Sequence, residues 1–184
     1  MTTERPSHSK WSSLLLALFV LSAPQAGAQA PEKETLPGAQ SYTRVDRNIA
    51  CGGVIAFEAF PELKRRGFKT VINLRLATER DAKVEAEGEA ARAAGLRYIH
   101  LPFNAAAPDA RAVVEQFLKA VVDPANQPVY IHSAAAHRVG GLWLIKRVRL
   151  DGWSTARALA EAEGIGLSDS SRQFALEYVK ASVK

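Results

Sequence analysis

His132, Ser133, His137 and Arg138 stand together in the stretch Val129-Tyr130-Ile131-His132-Ser133-Ala134-Ala135-Ala136-His137-Arg138-Val139-Gly140-Gly141. Their types offer two kinds of chemistry. Arg138 carries a planar guanidinium that can take a phosphate or sulfate in a two-bond fork. Ser133 carries a hydroxyl that attacks only with a general base beside it, and His132 and His137 are the bases nearest in sequence. The residues around them are small. Val129 to Ile131 is a β-branched and aromatic run and reads as a buried strand. Val139 to Ile145 opens an apolar helix. A strand, a loop of small residues and a helix N-terminus make an anion cradle. The N–H groups of Ala134, Ala135, Ala136, His137 and Arg138 can converge there, and the helix dipole favours negative charge.

This stretch resembles the signature loop of the cysteine-dependent protein tyrosine and dual-specificity phosphatases, which reads His, Cys, a short glycine-containing loop, Arg, then a helix. His132 and Arg138 match it. Ser133 stands where the family has its nucleophilic cysteine, and Ala136 where a glycine is expected. Four residues separate Ser133 from Arg138, one fewer than in most of the family. That spacing resembles a bacterial branch, and also the active-site loop of rhodaneses. Ile72-Asn73-Leu74-Arg75 is a second run similar to the family, and the resemblance covers roughly residues 42 to 166.

The resemblance implies a tyrosine-phosphatase-like α/β fold. It also implies a loop that holds phosphate through its amides and Arg138, with His132 orienting the loop. It places a proton-donating acid on the loop after the strand Arg97 to Leu101. That loop offers Asn104, which cannot donate a proton as an acid, and Asp109 at a helix start. Asp109 can serve as the acid or as the helix N-cap. A serine hydroxyl is barely ionised at neutral pH, whereas a thiol at such a site has its pKa lowered. If position 136 needs φ above zero, Ala136 costs about 1 kcal/mol and its methyl narrows the site. The expectation is a catalytically impaired phosphatase scaffold binding phosphate or a phosphorylated ligand, with a protein partner left open. Three other readings stay open. One is an active phosphoester or ester hydrolase using Ser133 with His132 or His137. Another is a rhodanese-like sulfurtransferase, which also needs a loop cysteine. The last is a structural, partner-binding domain.

The elements that must position these residues alternate. Strands are expected over Thr70 to Leu74, Arg97 to Leu101 and Val129 to Ile131. An edge strand within Tyr42 to Gly53 is expected to end in a turn at Cys51-Gly52-Gly53. Helices are expected over Phe57 to Arg66 and Asp81 to Ala94, each closed by a glycine, Gly67 and Gly95. Gly88 weakens the second by about 1 kcal/mol relative to alanine. Pro108-Asp109 starts a helix with Val113, Val114, Phe117, Leu118 and Val121 at helical spacing. Three more follow: one to Leu150, one over Thr155 to Ala162, and one over Ser170 to Ser182. Strands alternating with helices argue an α/β fold with a mainly parallel central sheet flanked by helices.

Of the 184 residues, 47% are hydrophobic and 23% charged, which suits one globular domain with its own core. The formal charge of +5 comes with no long Lys/Arg run, so nucleic acid is not an expected partner. Arg5 and Lys10 precede the apolar run Trp11 to Leu21, followed by Ala26-Gly27-Ala28. That order reads as a secretory signal peptide over residues 1–28. The run is short for a membrane span, so no stable anchor is expected after cleavage, and the location is periplasmic or secreted. Residues 29–41, with Pro31, Pro37 and Gly38 among charges, read as a flexible leader, and 42–184 as the phosphatase-like domain. Cys51 has no partner for an internal disulfide and reads as a small buried residue. No His/Cys/Asp cluster has metal-ligand spacing, and no metal or organic cofactor is implied.

Overall fold

The computed structural model describes residues 30–182. Its centre is a mixed six-stranded sheet made of β1 (Glu32–Lys33), β2 (Thr43–Arg44), β3 (Ile49–Gly52), β4 (Thr70–Asn73), β5 (Arg97–His100) and β6 (Val129–His132), in the order β1-β2-β3-β6-β4-β5. β3, β6, β4 and β5 run parallel, and β1 and β2 add an antiparallel edge. Every residue of β3, β4 and β6 is buried, as continuous runs must be when helices cover both faces.

Alternation along β6 divides the core. Tyr130 joins Phe60, Leu63, Phe68 and Leu96 on one face, beneath α1 (Phe60–Arg65) and α2 (Val84–Ala93). Val129 and Ile131 join Phe117, Trp143, Ile145 and Tyr178 on the other. That face is covered by α3 (Ala110–Val122), α4 (His137–Arg149), α5 (Thr155–Ile165) and α6 (Asp169–Ala181). α4 is pinned from behind. Arg147 grips Glu161 with Nε at 2.6 Å and Nη2 at 2.9 Å, and Trp143 Nε1 donates to the same carboxylate at 2.7 Å.

The register positions the site. Gly52 pairs with His132, and Asn73 pairs with both His132 and His100. The C-terminal ends of four parallel strands therefore lie abreast, and the loops that follow them share one edge, where ligands bind in open α/β sheets.

Several expectations change. Cys51 and Gly52 are not a turn at the end of an edge strand. They lie inside β3, whose neighbours are β2 and β6. The glycine is there for close approach: a Cβ at Gly52 would stand 2.5 Å from Tyr130 Oη and 2.8 Å from the Gln40 carbonyl. Burial pushes the Cys51 thiol up to about 12, which fits the small core residue expected and leaves no thiolate there. The leader is folded onto the domain from Glu32. β1 pairs with β2, Leu36 is buried, and Gln40 exchanges backbone bonds with Val54 and Gly53. The expected helix from Asp81 starts at Val84, because Asp81 and Lys83 take left-handed backbone conformations. The expected signal peptide lies outside the described residues.

Candidate functional site

The loop from Ser133 to Arg138 leaves the end of β6 and is stitched to the chain leaving β3. Ser133 N–H donates to the Gly52 carbonyl at 3.3 Å, Val54 N–H donates to the Ala134 carbonyl at 3.3 Å, and Gly53 pairs with Ala135 in an antiparallel bridge. Ala136 then turns the chain into α4. Its φ of 63° and ψ of −6° are left-handed, so this position does need the conformation that glycine adopts freely. The expected crowding takes a different form. Ala136 is 1% exposed and its methyl packs in the core cluster, so the cost of alanine is backbone strain. Ser133 is likewise 1% exposed, while Ala135 and His137 face solvent.

Beneath the loop lies a buried polar network. His132 Nε2 is 2.8 Å from Glu87 Oε1. The same oxygen accepts from Asn73 Nδ2 at 3.0 Å and from Tyr98 Oη at 3.1 Å. Asn73 Nδ2 also donates to Tyr98 Oη at 2.8 Å, and Asn73 Oδ1 accepts the Arg75 N–H at 2.7 Å. Burial pushes the Tyr98 hydroxyl well above its usual range, and the Glu87 carboxylate adds to the shift. His132 thus orients through Glu87. Its Nε2 is taken by Glu87 and its buried Nδ1 makes no hydrogen bond, so neither nitrogen is bonded to Ser133. His137 opens the first turn of α4, exposed, and makes no hydrogen bond to Ser133 among the described residues. Neither histidine is hydrogen-bonded to Ser133 among the described residues.

Gly88 explains how Tyr98 reaches Glu87. A Cβ at Gly88 would stand 2.9 Å from Tyr98 Cδ1 and 3.1 Å from Cε1. Gly88→Ala would improve helix propensity by about 1 kcal/mol. Against that, it would force the tyrosine ring off its hydrogen bonds, an overpacking cost of about 1–3 kcal/mol. We expect net destabilisation of about 1 kcal/mol in urea melts. A more stable Gly88→Ala protein would show that the ring yields freely.

Arg138 is held from the segment after β4. Its Nη1 donates to the Leu74 carbonyl at 2.7 Å, and its Nη2 lies 2.5 Å from Glu79 Oε1. That carboxylate also accepts the Leu76 N–H at 2.8 Å, and its other oxygen lies 3.2 Å from Arg75 Nε. Arg75 is 5% exposed and donates onward to the Arg80 carbonyl at 2.7 Å. Burial pushes the Glu79 carboxyl up, but the Leu76 N–H and the guanidinium groups of Arg138 and Arg75 outweigh it. The carboxyl therefore sits below the usual range. Asn73-Leu74-Arg75 now has a physical meaning: Asn73 braces Glu87, Leu74 seats Arg138, and Arg75 holds Glu79.

Asn104 and Asp109 both lie exposed on the loop between β5 and α3. Asn104 Oδ1 accepts the Ala106 N–H at 3.0 Å, closing a local turn. Asp109 occupies the N-cap position of α3, but its side chain makes no capping bond. Neither hydrogen-bonds to Ser133 or Arg138 among the described residues. The structure therefore brings together His132, Ser133, Ala134, Ala135, Ala136, His137 and Arg138, and adds Glu79 and Glu87. Neither glutamate stands out in the sequence: Glu79 lies in a polar loop and Glu87 in an Ala- and Glu-rich helix-forming run.

The comparisons with known proteins agree with this architecture. A family model described as "DSP-PTPase phosphatase fused to NAD+ Kinase" matches residues 32–162. None of the curated proteins compared matches the chain. Among solved structures, a DUF442 protein of Shewanella putrefaciens titled as a phosphatase superposes with a TM-score of 0.65 at 22% identity, over 80% of this chain and 95% of that one. TpbA of P. aeruginosa does so with a TM-score of 0.62 at 23% identity, over 85% and 91%. The core catalytic domain of the S. cerevisiae PP-IP phosphatase SIW14, in complex with citrate, gives 0.63 at 20% identity, over 82% and 92%. At these identities the structures share the fold, and the family match runs from β1 into α5. On that match the chain belongs to the DSP-PTPase family, within the tyrosine and dual-specificity phosphatase-like superfamily.

Proposed function

We propose that this chain is a catalytically impaired member of its family that binds phosphate or a phosphorylated ligand in the loop from Ser133 to Arg138. The observation that carries the reading is Ser133. By the resemblance of the loop it takes the family's cysteine position; it lies directly after β6 and before the loop that Arg138 closes, and no histidine is bonded to it among the described residues. A serine there removes the thiolate but leaves the amides, the start of α4 and the guanidinium. A structure of TpbA with serine in place of a cysteine is in complex with pTyr, which supports binding surviving such an exchange.

Titration of sulfate or phosphate, followed by the amide resonances of residues 134–138, tests this. The expected affinity is weak, on the order of millimolar, and falls as salt rises. Arg138→Ala removes a charge-assisted contact worth about 1.5–3 kcal/mol and should weaken binding by roughly tenfold or more. Equal binding by Arg138→Ala, or no shift at tens of millimolar anion, would leave a structural domain.

We also propose export, from the charged start, the apolar run and Ala26-Gly27-Ala28. The mature protein should begin near Gln29. N-terminal sequencing of the protein from its native cell that finds residues 1–28 retained would overturn this.

A further inference from the structure

The leader folded along the sheet edge carries a cation that reaches the back of the cradle. We propose that Lys33 is a positioning residue for the loop from Ser133 to Arg138. From β1 it caps the C-terminus of α5, and the turn it fixes there is the surface on which Ala135 and Ala136 rest. The inference rests on the anion-binding reading above.

The cap itself is visible in the bonds. Lys33 Nζ donates to Thr43 Oγ1 at 2.9 Å and to the Ile165 carbonyl at 3.3 Å. Thr43 is fully buried, and its hydroxyl donates onward to the Ser41 carbonyl at 3.0 Å, so its oxygen is left as an acceptor for the ammonium. Ile165 is the last residue of α5. A helix C-terminus presents carbonyls without intrahelical partners and carries partial negative charge, which a basic side chain in the last turn commonly answers. α5 has no basic residue in its last turn. Lys33 supplies the missing cation from 132 residues away in sequence.

The capped turn is packed against the cradle. Gly166 N–H and Leu167 N–H both donate to the Ala162 carbonyl, at 3.0 and 3.2 Å, and fold the chain back over the end of α5. The first turn of α4 lies directly on this fold: a Cβ at Gly140 would stand 3.1 Å from the Ala162 carbonyl and 3.3 Å from Leu167 N. A Cβ at Gly166 would stand 3.7 Å from Ala136 Cβ and 3.8 Å from the Ala135 carbonyl. Ala136 holds a left-handed conformation, which persists only where the surroundings enforce it. The leader also meets the cradle from its other flank. Gln40 exchanges backbone bonds with Gly53 and Val54 at 2.7 and 2.9 Å, and those two residues carry the contacts to Ala135 and Ala134. The segment from Lys33 to Gln40 therefore braces both sides of the loop. Without the cap the turn after α5 loses a restraint, Ala136 loses part of what enforces its strain, and an anion must order the amides as it binds, which costs affinity.

The test is a titration with sulfate, whose charge stays constant over the working pH range, followed by amide NMR on the wild-type chain, Lys33→Met and Thr43→Val. A cation at a helix C-terminus shifts an equilibrium by about two- to fivefold, and Lys33→Met should weaken sulfate binding by that factor. Before any sulfate is added, its Gly166, Ala135 and Ala136 amides should already be displaced from their wild-type positions. Thr43→Val keeps the charge and removes the acceptor that holds the ammonium, so it should weaken binding in the same direction. Wild-type affinity in both variants would overturn the positioning role while leaving the anion-binding reading intact. So would a loss confined to Lys33→Met with its cradle amides undisplaced, which is the mark of a charge acting through solvent alone. Absence of cradle shifts in the wild type at tens of millimolar sulfate would instead bring down the anion-binding reading and this inference with it. If Thr43→Val fails to fold, Lys180→Met takes its place as the comparison, since it removes the same charge from the exposed last turn of α6. Equal sulfate affinities and equal cradle amides in Lys33→Met and Lys180→Met would then overturn the inference.

Discussion

Glu87→Ala should cost the domain about 3–5 kcal/mol, a large part of the roughly 5–15 kcal/mol that holds a domain of this size folded. The carboxylate is 2% exposed, and one of its oxygens serves His132, Tyr98 and Asn73 together. Truncation leaves His132 Nε2 without a partner, and Nδ1 of the same ring already has none. Tyr98 Oη loses its acceptor. An orphaned buried group costs about 1–3 kcal/mol. Asn73 suffers less, because its 2.8 Å bond to Tyr98 Oη survives. Two orphans and the small cavity left by the side chain bring the total into the stated range. Glu87→Gln keeps the shape and one acceptor oxygen, so it should cost only about 1–2 kcal/mol. Urea denaturation measures both, as a fall in midpoint at constant slope. A loss below about 1 kcal/mol for Glu87→Ala would show that the network stabilises nothing. The change would also reach the cradle, because His132 directly precedes Ser133 and its ring is held by this carboxylate.

What the sequence shows and hides follows from the range of the interactions. The strand of Thr70 to Asn73, the strand of Val129 to His132 and the apolar start of α4 are written in short-range periodicity, and each appears where its pattern places it. Arg138 and the small loop before it are equally local. Glu87 reads as a helix former in an Ala- and Glu-rich run, and only contact with His132, 45 residues later, gives it meaning. Glu79 is a polar loop residue until Arg138 and Arg75 arrive from two different elements. Leu36 is one apolar residue among prolines and charges. Its burial is decided by the surface it meets, so the segment around it reads as loose although it is docked. Gly52 is the inverse case. Glycine suggests a turn, but here it makes room for the ring of Tyr130 across the sheet. Asp109 has the right type and place for a helix cap, yet its side chain makes no such bond.

Ser133→Cys should yield a protein that cleaves only activated esters, from a wild type whose phosphatase activity is expected to be absent or very weak. The wild-type serine would need a base, and the nearby His132 is committed to Glu87. A cysteine needs none once ionised. At the start of α4, beside Arg138, its thiol pKa should fall below the ordinary value, leaving thiolate near neutral pH. That thiolate can attack phosphorus and form an S–P bond as the ester oxygen leaves, and water can then hydrolyse the S–P bond to release phosphate. The ester oxygen departs with the electron pair of the broken P–O bond. p-Nitrophenolate tolerates this unprotonated. A phenolate leaves much more readily with a proton, and the loop that should donate it presents Asn104, whose Oδ1 is spent on the Ala106 N–H. A general acid contributes about 100- to 10,000-fold. Ser133→Cys alone should therefore hydrolyse p-nitrophenyl phosphate slowly and phenyl phosphate barely at all. Adding Asn104→Asp should raise phenyl phosphate turnover by about 100-fold and p-nitrophenyl phosphate turnover far less. Initial rates on the two esters, at matched pH and with both variants shown to be folded, decide the matter. Similar rates on both esters from Ser133→Cys alone would mean that another group, with Asp109 the first candidate, already supplies the proton. No turnover of p-nitrophenyl phosphate by a folded Ser133→Cys that still binds sulfate would mean that the strained turn at Ala136 holds position 133 out of line for attack.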